Sequence, residues 1–469
     1  MRALLGWRDL MLGRGRPGPP AADRLLLLAV ALLALRFANW QWLSDRIPGR
    51  GAALVNDGIE FGSYLLFVAL VALACRGRLP PRIRRWRPGR ALLLAPAVFL
   101  ILTAAVSLSV VRSLPAAQGR VDDANAMAVC GAQAISSGHD PYRVKEIACL
   151  ERLGIPATLA TPLRKGPLAG IDTYPTPAEI EMAALAASHH GGTQTLFSGL
   201  AKPPLDPAVM LPVAHSSPQD RALWTLLFAV AFAVLLALAA GSLWPAALAA
   251  FLATYYIPGS ALAFASVGNA ESVAYLLMAV AVLWIRRPVP SGVCLGLAIA
   301  SNELALFFLP AYLLICLRLD GGLRRVIALV LTAALGIVPW VVVFPDAVPA
   351  IWHNLTSPTF ALGYGPVLLV LQGVIRNPRP DLFLGATGIC MVLILLWGWL
   401  RPVWRISAGV LLIAAFWLSW RSLDEYMAQV PLLALVAILA LLRDRDQTKT
   451  AEQRQPEVQE RAAGTGAVG

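Results

Sequence analysis

Charge is scarce in this sequence. Only 14% of its 469 residues are Asp, Glu, Lys or Arg, against about 25% in soluble domains, and 58% are hydrophobic. That excludes an ordinary soluble globule. With 35 prolines and 37 glycines the chain is not a coiled coil, and its low charge excludes a charged disordered polymer. Internal repeats are missing, so no solenoid is indicated. The five histidines show no HExxH or HxxEH spacing, which removes the usual signal for a zinc site. The net charge of +12 sits in short clusters beside apolar runs, a pattern that orients membrane spans and not one that builds a nucleic-acid surface.

Apolar runs of near-spanning length lie at about 24–42, 58–75, 91–111, 222–240, 243–257, 269–285, 324–344, 381–400, 403–420 and 426–442. The stretch Ser291 to Leu317 is too long for one untilted span and is interrupted by Ser301, Asn302 and Glu303, which predicts two short helices forming a hairpin. Arginines fix the direction. Arg76, Arg78, Arg82, Arg84, Arg85, Arg87 and Arg90 form an acid-free loop expected in the cytoplasm, and the basic N-terminus belongs on the same side. Alternation then puts 112–220 outside. A run at 362–375 reads as a membrane-dipping helix, because another span there would place Arg401 and Arg405 outside.

The expected architecture is an all-α integral membrane protein of about 12 transmembrane helices, both termini cytoplasmic, with one large outer segment carrying juxtamembrane helices. Its parts are a basic N-terminus (1–23), two spans and a basic loop (24–90), a membrane domain (91–442) and a polar tail expected to be disordered (443–469). The first span reads as uncleaved, since its apolar stretch exceeds the usual signal length.

The outer segment is far longer than an ordinary connection. Asp122 and Asp123 stand before a helix-like stretch near the outer boundary, where they can cap the helix, serve as a general base, or divide the two roles. Gly138-His139-Asp140-Pro141-Tyr142 stops that helix. Pro-rich turns follow around Asp172 to Pro177 and Lys202 to Pro207. Cys130 and Cys149, the two outer cysteines of six, are positioned for a disulfide, with two independent buried thiols as the alternative.

Other polar groups recur at span ends expected on the same face. Asn269 and Glu271 open a span, Asn302 and Glu303 sit at the hairpin apex, Arg376 follows the dipping helix, and Arg421 and Tyr426 precede the last span. Ionisable groups near bilayer depth point to function, although Arg421 and Tyr426 also suit interfacial anchoring.

The order of these motifs resembles the bacterial polyprenol-phosphate-mannose-dependent α-1,2-mannosyltransferases of the GT-C superfamily. The matching residues are Asp122 or Asp123, Gly138, Asp140-Pro141-Tyr142, Pro203-Pro204, Ala222-Leu223-Trp224 and Gly268-Asn269, with Glu271 at the family's Asn position. The likeness covers roughly 91–442. Lys202 replaces a common Tyr, Asn302-Glu303 stands where Lys-Pro is common, and about 150–200 looks like an insertion. The resemblance implies a membrane hexosyltransferase, inverting, that moves a mannose-like sugar from a polyprenyl-phosphate carrier to an acceptor hydroxyl on a glycan, glycolipid or protein at the outer face of the plasma membrane. An aspartate would be the base. Spacing alone leaves Asp122 and Asp123 equivalent, and distance to Pro141-Tyr142 in the family slightly favours Asp123. Lys202, Arg143, Arg376 and Arg421 are the cations available to the leaving phosphate, and Tyr142, Asn269, Glu271, Asn302, Glu303 and Tyr426 complete the expected substrate-binding set. No cofactor is expected, and a divalent-metal requirement is left open. The rival reading is a transporter or lipid flippase with a broken-helix site at Asn302-Glu303.

Overall fold

Runs of Leu, Ala and Val without internal charge form most helices, since a helix satisfies its backbone polar groups within itself where water is excluded. The computed structural model describes residues 20–38, 50–81, 123–160, 163, 168, 172–189, 200, 202–254, 261–318, 322–356, 362–363, 365–371, 373–375, 378–422 and 426–442. The expected span 91–111, Asp122, Arg376 and the tail from 443 lie outside the described residues.

The principal helices are α1 (Pro20–Ala38), α2 (Arg50–Cys75), α3 (Asp123–Ser136), α4 (Glu146–Arg152), α5 (Pro177–His189), α6 (Leu205–Val209), α7 (Pro218–Ala240), α8 (Trp244–Ala253), α9 (Ala261–Ser266), α10 (Glu271–Leu283), α11 (Pro288–Ser301), α12 (Leu304–Leu317), α13 (Gly322–Val343), α14 (Ala347–Thr356), α15 (Pro380–Leu400), α16 (Arg405–Ala414) and α17 (Tyr426–Leu442). Four helical stretches among the described residues are long and apolar enough to cross a membrane: Asp57–Cys75 of α2, α7, α13 and α15. Their outward faces leave Leu238, Leu335, Val342 and Leu384 exposed, a surface suited to lipid. Shorter apolar helices, including α8, α10, α11, α12 and α17, fill the interior between them.

Helix-end contacts sort the molecule into two poles. At the first, the buried Arg24 guanidinium donates to the carbonyls of Ala74 and Arg76, both at 2.6 Å, satisfying groups that the end of α2 leaves open. The Gly77 amide reaches the Val403 carbonyl at 2.5 Å, Arg76 lies over the Trp404 ring, and Arg318 over Trp399.

Helices α11 and α12 run from this pole to an apex at Asn302-Glu303 and back. Their bases are tied where the Tyr312 hydroxyl meets Ser291 and donates to the Ala281 carbonyl at 2.7 Å. The backbone of α11 also presses directly on α13. A Cβ on Gly296 would lie 2.1 Å from the Ala333 carbonyl, and one on Gly336 would lie 2.9 Å from the Leu297 amide. Small residues permit this approach.

The described part of 112–220 builds a separate cap at the other pole. Helix α3 packs on α4, α6 and the 3-10 turns at Pro141–Arg143 and Leu211–Val213, around small apolar clusters that include Val129, Leu150 and Met210. Cys130 and Cys149 form a disulfide between α3 and α4, with Cα atoms 6.3 Å apart. Closing a loop of this size contributes about 3 kcal/mol in the chain-entropy model. The run at 362–375 departs from the expected dipping helix: β1 (Leu362–Gly363) pairs in parallel with β2 (Arg421–Ser422), and only one helical turn follows at Leu368–Leu371. Pro366 allows that turn to start but not to extend backwards, and Gly373, with φ +70°, ends it.

Candidate functional site

Local sequence chemistry delivers the first side chain. Gly138 takes φ +75° after α3, its amide bonding to the Ile135 carbonyl and that of His139 to the Ala134 carbonyl, which is a Schellman stop. The Asp140 carboxylate then accepts from the Tyr142 amide at 2.9 Å and starts a 3-10 turn on Pro141. Gly, Asp and Pro thus turn the chain, and Tyr142 is what they aim inward. Its phenol is buried against Met127, Leu200 and Ala347 and donates to the Lys202 carbonyl at 2.8 Å. Burial, with the carboxylates of Asp206, Asp140 and Glu303 in electrostatic range, pushes the Tyr142 hydroxyl far above its ordinary pKa, so it stays a protonated donor.

The same segment brings in a cation. Lys202 precedes Pro203-Pro204, and its Nζ forms an ion pair with Glu271 Oε1 at 2.5 Å; the Glu271 side chain is 4% exposed and that of Lys202 20%. Glu271 lies in the first turn of α10, where the helix dipole favours a carboxylate. Asn269 Oδ1 accepts from the Glu271 amide at 2.9 Å and fixes the turn. Two polar atoms at this turn have no hydrogen-bond partner among the described residues: Asn269 Nδ2, a donor, and Glu271 Oε2, an acceptor, both buried. Native interiors rarely leave such groups unmatched, and a pair of opposite polarity suits a ligand that both donates and accepts.

Three contacts hold these parts in register. Asn125, in the first turn of α3, donates to the Val267 carbonyl at 2.8 Å and joins the start of α3 to the approach to α10. Trp224 Nε1 donates to the Val209 carbonyl at 2.9 Å and joins α7 to α6. Gly131 lets α6 lie directly on α3, since a Cβ there would come within 2.8 Å of Pro207 Cβ. Helix α6 also packs on α11, which carries the hairpin apex. At that apex Asn302 Oδ1 accepts from the Leu304 amide at 2.9 Å, so the break in the helix is capped by its own side chain.

Tyr142, Lys202, Asn269, Glu271 and Glu303 therefore share one neighbourhood, with Asn302 at its edge. Asp123 begins α3 on the side that Asn125 ties to this neighbourhood; its side chain lies outside what is described. Arg143 is placed elsewhere: its side chain is 79% exposed and faces Asp346 at 3.4 Å and Asp140 at 3.7 Å, because the 3-10 turn that buries Tyr142 points the next residue out. The Tyr426 ring packs on Phe416 at a centroid distance of 5.3 Å. Arg421 contributes backbone to β2.

Asp206, which the sequence places in a Pro-rich turn, is fully buried, and its carboxylate acts on Tyr142. The available signal was an acid held between Leu205 and Pro207 immediately after a Pro-Pro pair, an expensive residue for a simple turn. Asn125 was missed altogether. No family model, curated protein or solved structure matches the chain.

Proposed function

We propose that this chain is a multi-pass glycosyltransferase of the plasma membrane, with about twelve crossings and both termini in the cytoplasm, that transfers a mannose-like sugar from a polyprenyl-phosphate carrier to an acceptor hydroxyl on the outer face. The observation that carries the proposal is the unmatched donor and acceptor of Asn269 and Glu271 beside Lys202, buried at the pole opposite the arginine-rich helix ends. Sugar hydroxyls both donate and accept, as these two atoms require. Lys202 supplies positive charge in a partly dry site, where stabilising a departing phosphate is worth most. Tyr142 adds a neutral donor. Asp123, which begins α3, or Asp122, which precedes it in sequence, takes the acceptor proton as the oxygen attacks the anomeric carbon and the lipid phosphate leaves with the bonding pair.

The test uses membranes containing the full chain, incubated with labelled polyprenyl-phosphate sugars. Label should reach a product that is not a lipid phosphate. Transfer should fall by at least a hundredfold in Asp123→Asn, Asp122→Asn or both, with the protein still inserted and accumulating. Full transfer in the double variant ends the proposal, and movement of intact lipid across the bilayer without sugar transfer would favour the transporter instead.

A further inference from the structure

The arginine-rich pole holds a feature the transfer reaction does not use. Between α12 and α15 runs a shallow, open groove of about 390 Å³ whose walls, including Leu313, Leu317, Val392, Leu396 and Trp399, are almost wholly apolar. Leu317, Val392, Leu396 and Trp399 are exposed, so the groove opens to the side, towards the surrounding lipid, and not into the protein interior. At its end the chemistry changes abruptly. The Arg318 guanidinium lies 4.2 Å from the centre of the Trp399 ring, and Arg401 caps α15 two residues beyond. Arg405 begins α16 close enough to Arg318 to be repelled by it, and its Nε is buried with no hydrogen-bond partner among the described residues. No carboxylate of the described residues pairs with any of these three arginines.

We infer that this groove is a binding site for an anionic phospholipid of the cytoplasmic leaflet, with an acyl chain along α12 and α15 and the phosphate held by Arg318, Arg401 and Arg405. Like charges gathered at an apolar surface are costly unless an anion joins them, and a guanidinium resting on an indole keeps its edge donors free for phosphate oxygens. Charge and shape together select the occupant. A zwitterionic lipid such as phosphatidylcholine brings its own ammonium beside the phosphate and leaves the cluster's net charge uncompensated, and a free phosphate leaves the apolar walls unused.

The experiment titrates full-length protein in neutral detergent with phosphatidylglycerol or phosphatidylcholine and counts bound lipid by native mass spectrometry. The expected result is at least one phosphatidylglycerol retained roughly fivefold or more above phosphatidylcholine. The preference should fall by about fivefold in either Arg318→Gln or Arg401→Gln, both exposed positions, with an unchanged melting temperature checking that the fold is kept. Leu396→Trp, which fills the groove, should weaken both lipids. Equal retention of the two lipids by the wild type, or unchanged preference in both arginine variants, overturns the inference. Displacement of phosphatidylglycerol by millimolar inorganic phosphate also overturns it, by showing a site for the free anion.

Discussion

The Lys202–Glu271 pair gives a quantitative test of the site's construction, because its two members are unequally buried. Replacing Lys202 by Met leaves a carboxylate that is 4% exposed, one of whose oxygens has no hydrogen-bond partner among the described residues. Stranding a buried charge in this way costs about 3–5 kcal/mol. Replacing Glu271 by Gln leaves an ammonium that is 20% exposed and can recruit water, so the loss is nearer that of one charged hydrogen bond, about 1.5–3 kcal/mol. The double variant Lys202→Met/Glu271→Gln removes both charges together and should recover much of the first loss, giving a coupling at least as large as the Glu271→Gln loss, about 1.5–3 kcal/mol. Apparent melting temperature in detergent, read by tryptophan fluorescence on all four proteins at one concentration, measures the order: wild type most stable, then Glu271→Gln and the double variant, with Lys202→Met last. Additive losses, or Lys202→Met milder than Glu271→Gln, would refute the argument from burial.

Gly131→Ala should cost about 1–3 kcal/mol and reduce sugar transfer, because the new methyl meets the rigid Pro207 ring and parts α6 from α3; melting and transfer assays on the same preparation check both effects. Acid should loosen α5. Thr176 donates to the Glu179 carboxylate through its amide at 2.7 Å and its hydroxyl at 2.8 Å, and these bonds hold the carboxyl below its ordinary value of 4.5. A depressed pKa contributes stability that is present above the unfolded value and is lost as pH falls through the folded one. Amide protection factors in α5, taken relative to the intrinsic rate at each pH, should therefore fall below about pH 4.5 in the wild type, and Glu179→Gln should show the lower protection already at neutral pH.

Much of the helical framework is legible in the apolar runs. Intervals such as 222–240, 324–344 and 381–400 return as α7, α13 and α15 with shifts of a few residues at their ends. The break at Asn302-Glu303 is legible too, because three consecutive polar residues end one apolar run and begin another. The short turn at Leu368–Leu371 was not, since apolar composition over 362–375 looks the same whether glycines permit one turn or four. Within the site, motif residues such as Gly138 and Asp140 announce themselves because they act within a few positions of their own chain. Asp206 and Asn125 act across long separations, through a proline-bounded turn and a helix start, and composition carries no trace of which distant carbonyl or phenol they meet. Arg143 lies apart from the buried group for a related reason: one step along a 3-10 turn swings a side chain by about 120°, which charge alone does not reveal.

The contact of α11 with α13 has a mechanical consequence. Two helices that touch through glycines and backbone, with the short Thr332 side chain seated on Gly292, cannot slide without collision, so they behave as a single lever. The pairing of Gly296 with Ala333 and of Gly336 with Leu297 shows that the two helices run the same way. Both arms therefore end beside Tyr142: Asn302-Glu303 finishes one, and Phe344, 6.5 Å from the Tyr142 ring centre, finishes the other. A displacement of the apex carries Phe344 with it, and any hinge that admits the proposed lipid-linked substrate has to lie outside this pair.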